Sequence, residues 1–342
     1  MNESKMKVSI IGATGYTGAE LVKILLRHPQ VEIDIITSQS FANKKISEVY
    51  PWLTTDLVCQ ELNINKVASS SSFIFAALPH QASMKIVGEF YLKKKKIVDL
   101  SADFRLTDPL IYEKWYGVPH QKKELLKKAV YGLPELYREE ISKARLVANP
   151  GCYPTSAILA LAPLLDNDLI KENSIIIDAK TGVTGAGRRL SLATHFPEVN
   201  ENIRAYQVQG HRHAPEMEQE LSKLAKKKIT ITFVPHLVPL NRGILSTCYA
   251  ALKQSISTED VLKLYEEFYK GEHFVEILSW GEFPQTKEVV NSNRCRIGII
   301  VNKKTERVII ISAIDNLSKG ASAQAVQNMN IMCGFEETMG LN

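Results

Sequence analysis

The segment Asn149-Pro150-Gly151-Cys152-Tyr153-Pro154-Thr155 places a cysteine just ahead of a helix predicted to start near Thr155. A thiol at a helix entrance sees the positive end of the aligned peptide dipoles, which lowers its pKa and favours the nucleophilic thiolate. Cys152 is therefore the leading candidate nucleophile, while Cys59, Cys248, Cys295 and Cys333 stand in apolar or strand-like contexts that suit small core or surface residues. A second cluster, Gly210-His211-Arg212-His213-Ala214-Pro215-Glu216, precedes another predicted helix, with its proline near the first turn. Either histidine has the chemistry of a general acid serving a developing oxyanion; an ordinary loop histidine is the alternative for one of them. His213, directly before Ala214 and Pro215 at the helix mouth, is the preferred acid and base, because a helix N-terminus lowers an imidazole's pKa and assists proton loss after donation. His211 is left to orient the loop or to bind substrate. No third ligand stands at a zinc-like spacing, so no metal is expected.

The other chemical motif is Gly12-Ala13-Thr14-Gly15-Tyr16-Thr17-Gly18, between a strand predicted over 7–11 and a helix over 17–27. Glycines there let the main chain approach a pyrophosphate, and the helix N-terminus offers it N–H groups and positive potential. Gly12, Thr14, Gly15, Tyr16, Thr17 and Gly18 are thus candidate dinucleotide ligands, against the alternative of a plain tight βα turn. The spacing is G-x-x-G-x-x-G rather than G-x-G-x-x-G. At the end of the second strand Thr37-Ser38-Gln39-Ser40, followed by Lys44 and Lys45, offers hydroxyls and no carboxylate. Nothing there repels a ribose 2′-phosphate, which favours NADP over NAD and makes Ser38 a candidate ligand.

These residues need elements to hold them. Strands predicted over 31–37, 73–78 and 97–100, with a helix over 81–92, extend the first strand and helix into an alternating βα pattern, and parallel pairing of such strands gives a doubly wound, Rossmann-type sheet. After Pro150 the texture changes to a helix over 155–165 and strands over 174–179, 229–234, 244–252, 296–301 and 307–313, an α+β domain with a mixed sheet. A tail helix over 319–332 carries Ala321, Ala325, Val326, Met329 and Met332 at helical spacing and can pack back on the first domain. The expected organisation is a nucleotide-binding domain of 1–150 plus a C-terminal helix in 316–342, and a catalytic, substrate-binding and oligomerisation domain of 151–315.

A chain of 342 residues fits two such domains. Its five cysteines are odd in number and scattered, which points to reduced thiols. The longest apolar runs, 73–78 and 297–301, fall far short of the roughly twenty residues of a membrane span. The short polar stretch 1–7 has no signal-peptide pattern, so a cytoplasmic location is expected. The net charge of +5 suits an anionic small-molecule substrate, and the lysine runs 93–96 and 226–228 look like solvated faces rather than a nucleic-acid patch.

Taken together, these motifs resemble the N-acetyl-γ-glutamyl-phosphate reductase family of arginine biosynthesis, in the aspartate-semialdehyde dehydrogenase superfamily. The likeness runs through Gly12 to Gly18, Ala77-Leu78-Pro79-His80, Asp99 to Leu106, Tyr131 to Leu136, Asn149 to Thr155, Lys180 to Arg188, Gly210 to Glu216, Val234 to Pro239 and Asp315 to Gly320, nearly the whole chain. The resemblance implies a glyceraldehyde-3-phosphate-dehydrogenase-like pair of domains and a reaction in which Cys152 displaces phosphate from an acyl phosphate, NADPH reduces the thioester, and the hemithioacetal collapses to an aldehyde. It further implies Arg105 for the substrate phosphate, Asn149 for substrate, Pro79, Gly182 and Gly185 for cofactor, Asn316 for the nicotinamide carboxamide, and a homodimer or homotetramer. Two departures stand out: Gln39 where relatives often carry arginine, and Ala323 where glycine is expected. Rivals are the same chemistry on aspartyl phosphate or on a carrier-protein-bound aminoadipyl or glutamyl phosphate and, from other classes, a cysteine acyl hydrolase or transferase, or a non-catalytic nucleotide sensor.

Overall fold

A computed structural model describes residues 5–341; the first part of the polar N-terminal stretch, 1–4, and Asn342 lie outside the described residues. Contacts divide the chain into two compact units, Met1–Pro150 with Ala321–Asn342, and Gly151–Gly320.

The first unit contains β1 (Met6–Ile11), β2 (Val31–Thr37), β3 (Cys59–Gln60), β4 (Phe73–Ala76), β5 (Lys96–Asp99), β6 (Val130–Tyr131) and β7 (Leu146–Ala148). They form one seven-stranded sheet in the order β3-β2-β1-β4-β5-β7-β6, with all pairs parallel. Two- and three-residue strands such as β3, β6 and β7 are too short to show a periodicity, and sequence patterning does not find them. The order reverses between β1 and β4, and the carboxyl ends of those strands bound the crevice where such sheets take ligands. Both faces are covered. Leu21, Val22 and Leu25 of the helix Tyr16–Leu25 share one core with Ala325, Val326, Met329 and Met332 of the helix Ala323–Cys333, while Met84, Val87 and Phe90 of the helix Ser83–Leu92 fill the other. The helix Ala323–Cys333 packs within this unit, with Ala323 only 2 % exposed in its first turn.

The second unit contains β8 (Ile175–Thr181), β9 (Arg204–Ala205), β10 (Ile231–Leu237), β11 (Ile244–Ala251), β12 (Val275–Ile277), β13 (Cys295–Asn302) and β14 (Arg307–Ile314). The order is β12-β13-β14-β11-β8-β10-β9, with β8/β10 and β12/β13 parallel and the other pairs antiparallel, a mixed sheet. One face is covered by the helix Cys152–Asp166, where the Ser156 hydroxyl meets those of Ser246 (2.9 Å) and Ser312 (2.5 Å). From the helix Thr258–Phe268 and the residue after it, Tyr265 and Tyr269 donate to the carbonyls of Ala160 (2.5 Å) and Leu159 (2.6 Å). The opposite face is half-open, with Ile176, Asp178, Val234, His236, Tyr249 and Arg307 lining a shallow cavity of about 380 Å³.

Two expectations about the second unit need revision. The helix after Pro150 begins at Cys152, not near Thr155: Gly151 takes the N-cap in an extended conformation (φ −68°, ψ 153°), and Pro154 is tolerated in a first turn, where an N–H has no intrahelical partner to lose. The segment 316–320 keeps company with this unit, because the Asp315 carboxylate accepts from the N–H of Leu317 (2.8 Å) and Ser318 (3.1 Å), while the Asp315 carbonyl accepts from Gly320 N–H (2.9 Å). Among the described residues no helix is long and apolar enough to cross a membrane.

Candidate active site

Cys152 is the first residue of its helix and half-buried, whereas Cys59, Cys248 and Cys295 are buried. Burial raises the Cys59 thiol, pushes Cys248 up to about 12 and Cys333 up to about 11, so these three stay protonated near neutrality and are poor nucleophiles. Cys152 alone of the five sits at a helix N-terminus. The turn is fixed on three sides. Thr155 returns its hydroxyl (3.0 Å) and its N–H (2.9 Å) to the Gly151 carbonyl, and the Gly151 N–H donates to Glu216 Oε1 at 2.8 Å. On the third side lies Gly320: a Cβ there would stand 2.8 Å from that of Cys152, so the close approach requires glycine. Asp315, fully buried, holds that wall together by also accepting from Arg242 Nε (2.9 Å) and from Asn291 N–H (2.6 Å).

The two histidines sit at the mouth of the helix Ala214–Ala225, with His213 as N-cap and Pro215 in the first turn, as the sequence suggested. Their environments differ. The His211 ring is boxed by Tyr153, Tyr206 and Phe233, with ring centroids 5.6, 5.7 and 5.3 Å away, and its Nδ1 accepts the His213 main-chain N–H at 3.0 Å. Burial, aided by the neighbouring Arg212 charge, drives His211 down to about 4, so it is neutral at physiological pH. The rings of His211 and His213 are 4.8 Å apart, and the Tyr153 ring packs on both. The Tyr153 and Tyr206 hydroxyls meet at 3.0 Å, and burial pushes Tyr206 up to about 12, so both stay protonated. Neither tyrosine is recognisable from sequence, because nothing local marks a partner many residues away; Glu216 is legible only as an acidic residue of a helix's first turn.

In the first unit the glycine loop follows β1 and enters the helix Tyr16–Leu25, with Gly15 as N-cap. Gly12 has φ +89° and a Cβ there would lie 2.4 Å from the Ala77 carbonyl oxygen; one on Gly18 would lie 2.3 Å from the Gly12 oxygen. Those two are glycine because the protein itself leaves no room. A Cβ on Gly15 would meet only the Gly12 oxygen, at 3.8 Å, so packing within the protein does not require glycine at this helix N-terminus. The Thr14 and Ser38 hydroxyls are bonded to each other (2.7 Å), and Tyr50 donates to the Thr14 carbonyl (3.0 Å), which ties the loop to the end of β2. Ser38 is buried, while Gln39, Ser40 and Lys44 are exposed and Lys45 pairs with Asp56 at 2.7 Å. Pro79 follows β4 across the switch point.

The remaining candidates are held as follows. Buried Asp99 and Asp103 tie the segment 99–106 to the helix Ser83–Leu92 and the turn before it: Ser83 donates to Asp99 (2.6 Å), and the N–H groups of Gln81 and Met84 donate to Asp103 (2.8 and 2.9 Å). Burial and the charge on Asp103 push Asp99 up to about 6. On this scaffold Arg105 is 6 % exposed, and its Nε and Nη2 donate to the carbonyls of Asn149 (2.7 Å) and Leu100 (2.8 Å). Asn149, 1 % exposed, donates to the Ala321 carbonyl (3.0 Å) and accepts from Asn328 (3.1 Å). Both residues therefore anchor the strand that leads into the Cys152 turn. In the second unit Gly182 must be glycine because a Cβ would lie 2.7 Å from the main chain of Asn241, whereas Gly185 has room around it. Asn316 accepts from Gly243 N–H (2.8 Å) and donates to the Thr184 hydroxyl (2.9 Å), beside Gly185. Among the described residues no group of three or more His, Cys, Asp or Glu is placed to hold a metal.

Comparison with known proteins accounts for both units. Residues 7–144 match the semialdehyde dehydrogenase NAD-binding domain, and residues 152–316 match the semialdehyde dehydrogenase dimerisation domain. Among solved structures, aspartate semialdehyde dehydrogenase II from Vibrio cholerae superposes with a TM-score of 0.74 at 17 % identity, covering 97 % of this chain and 99 % of that one. The aspartate semialdehyde dehydrogenase with NADP from Candida albicans gives 0.73 at 16 % identity, covering 96 % and 99 %. At such identities the likeness is one of fold. Far nearer in sequence are the N-acetyl-γ-glutamyl-phosphate reductases of Pelotomaculum thermopropionicum, 57 % identical over 98 % of this chain and 97 % of the relative, and of Desulforamulus reducens, 53 % identical over 98 % of each. With two matching domain models and identity of this size along almost the entire chain, the protein belongs to the N-acetyl-γ-glutamyl-phosphate reductase family of the semialdehyde dehydrogenases.

Proposed function

We propose that this chain reduces N-acetyl-γ-glutamyl phosphate to N-acetylglutamate semialdehyde and phosphate, in arginine biosynthesis. The observation that carries the reading is a half-buried thiol on the first residue of a helix, in a turn bonded to the helix that His213 caps. The Cys152 thiolate attacks the acyl carbon and phosphate leaves, giving a thioester on Sγ. NADPH, when bound, supplies the hydride that reduces this thioester. His213 donates a proton to the oxygen of the resulting hemithioacetal and takes it back as the aldehyde departs. His211, neutral and fixed by its aromatic box, orients the His213 main chain.

The first unit is the nucleotide-binding domain, with the helix N-terminus at Gly15 for the pyrophosphate, Thr14, Tyr16 and Thr17 around it, and Pro79 across the switch point. The absence of a carboxylate at 37–40 supports NADPH over NADH, and the NADP in the Candida albicans neighbour is consistent with it. The 2′-phosphate then relies on exposed Ser40 and Lys44, because Ser38 is buried against Thr14. Gly185 and Asn316 serve the nicotinamide end, and Arg105, beyond its two main-chain bonds, supplies positive charge for the substrate phosphate. The second unit is the catalytic domain and the surface of self-association, a homodimer or homotetramer, and the location is cytoplasmic. Leu190, Leu192, Phe196, Ile203 and Val208 support association: they are 98, 74, 74, 66 and 55 % exposed within one segment of the unit.

The test runs the reaction backwards with N-acetylglutamate semialdehyde, phosphate and NADP⁺, in parallel with aspartate semialdehyde, following absorbance at 340 nm. Turnover with the first substrate, lost in Cys152→Ser while NADPH binding persists, is the expected result. Turnover with aspartate semialdehyde alone overturns the substrate assignment, and substantial activity in Cys152→Ser overturns the thioester.

A further inference from the structure

The bond between Glu216 and Gly151 joins two functional elements that are 65 residues apart in sequence. Gly151 is the N-cap of the nucleophile's helix and has no side-chain cap of its own; Glu216 lies in the first turn of the helix that His213 caps. Glu216 is 1 % exposed, and the two helices pack against each other inside the second unit. A carboxylate is an expensive group to bury, and the ordinary place for an acidic residue in a first turn is its own helix N-terminus in water. Here it crosses instead to the main-chain N–H one residue before the thiol, at 2.8 Å. A charge-assisted bond of this length is among the stronger and more directional ties a side chain makes.

We infer that Glu216 is a positioning residue, which sets the Cys152 turn against the His213 turn through its bond to the Gly151 amide. The inference rests on Cys152 being the nucleophile of the proposed reaction. It accounts for why the carboxylate sits in the same short motif as the histidines: its bond ties the entrance of one helix to the entrance of the other, in addition to the packing between them. Side-chain length is the essential property. Glutamine keeps the reach and an acceptor oxygen while losing the charge, whereas aspartate keeps the charge but is one methylene too short to span the gap.

The test uses p-nitrophenyl acetate as a small acyl donor, so that it needs neither cofactor nor the physiological substrate. The Cys152 thiolate attacks the acetyl carbon, the C–O bond breaks, and p-nitrophenolate is released as an acetyl thioester forms; its burst is followed at 400 nm in wild type, Glu216→Gln, Glu216→Asp and Glu216→Ala, with Cys152→Ser as the blank. Glu216→Gln is expected to stay within about threefold of wild type, and Glu216→Asp and Glu216→Ala to slow the burst about tenfold or more, the scale on which small misplacements of a reacting group act. An aspartate variant as fast as wild type, or a glutamine variant as slow as alanine, would show that charge rather than reach matters and overturns the inference. So would a wild-type chain with no burst at all. If Glu216→Ala does not fold, the Gln and Asp variants decide alone. A normal wild-type burst without semialdehyde-dependent reduction of NADP⁺ would instead sink the reductase reading and leave the role of Glu216 standing.

Discussion

His211 and His213 are separated by one residue, yet their surroundings assign them different work. His211 lies in an aromatic box and is driven down to about 4 from an ordinary 6.5, so it carries no proton to give at neutral pH. Its neutral state in the fold has a consequence for stability. Because the folded value lies below the unfolded one, the stability that depends on the neutral ring is complete above about pH 6.5 and is lost as pH falls towards 4. Thermal melts of His211→Gln between pH 7 and 4.5 should therefore fall less steeply than those of wild type, with a residual slope from His28 and His120, whose values burial also lowers. Parallel slopes for the two proteins would exclude this account. In catalysis, His213→Asn should lower kcat by about a hundredfold or more, the scale of a lost general acid and base, and His211→Asn should act mainly on KM. Steady-state kinetics with the reverse pattern would move the proton to His211. The sequence could isolate Cys152 and the histidine pair because each lies beside a helix entrance that local residues announce. It could not show Tyr153, Tyr206 or the partner of Glu216, whose roles are set by contacts distant along the chain.

At the scale of elements, the glycine loop separates two kinds of glycine that look alike in sequence. Gly12 and Gly18 answer to steric demands of the protein, and Gly15 does not. Gly15→Ala should consequently melt within a degree or two of wild type while raising the NADPH dissociation constant tenfold or more, measured by fluorescence titration. An unchanged dissociation constant would mean that the pyrophosphate does not lie at this helix N-terminus. Most long elements were legible because each carries a full period of burial: β2 occupies the predicted 31–37, and the strands of the second unit fall within a few residues of expectation. The start of the helix Cys152–Asp166 is displaced by three residues, because Pro154 reads as a break but occupies a first turn. The two-residue strands β3, β6 and β9 depend on neighbours rather than on their own pattern.

For the whole molecule, the segment carrying Leu192 and Phe196 offers a direct test of self-association. Sedimentation analysis should find wild type as a dimer or larger at micromolar concentration, with Leu192→Asp/Phe196→Asp shifted towards monomer and with its melting temperature in dilute solution little changed. A monomeric wild type, or a double variant that sediments like it, would remove this surface from the assembly. The shape of the units also bears on how the chain is made. The first unit is closed by two segments far apart along the chain: Met329 and Val326 are fully buried in its core, Lys96 donates to the Met332 carbonyl (2.6 Å), and Asn328 donates to the Gly132 carbonyl (2.9 Å). The first unit therefore cannot complete its core until a helix more than 170 residues downstream of Pro150 has been made. The second unit, 151–320, is continuous in sequence, so a chain cut just before Ala323 keeps every strand of both sheets but leaves bare, in the first core, the apolar surface that Ala325, Val326, Met329 and Met332 cover.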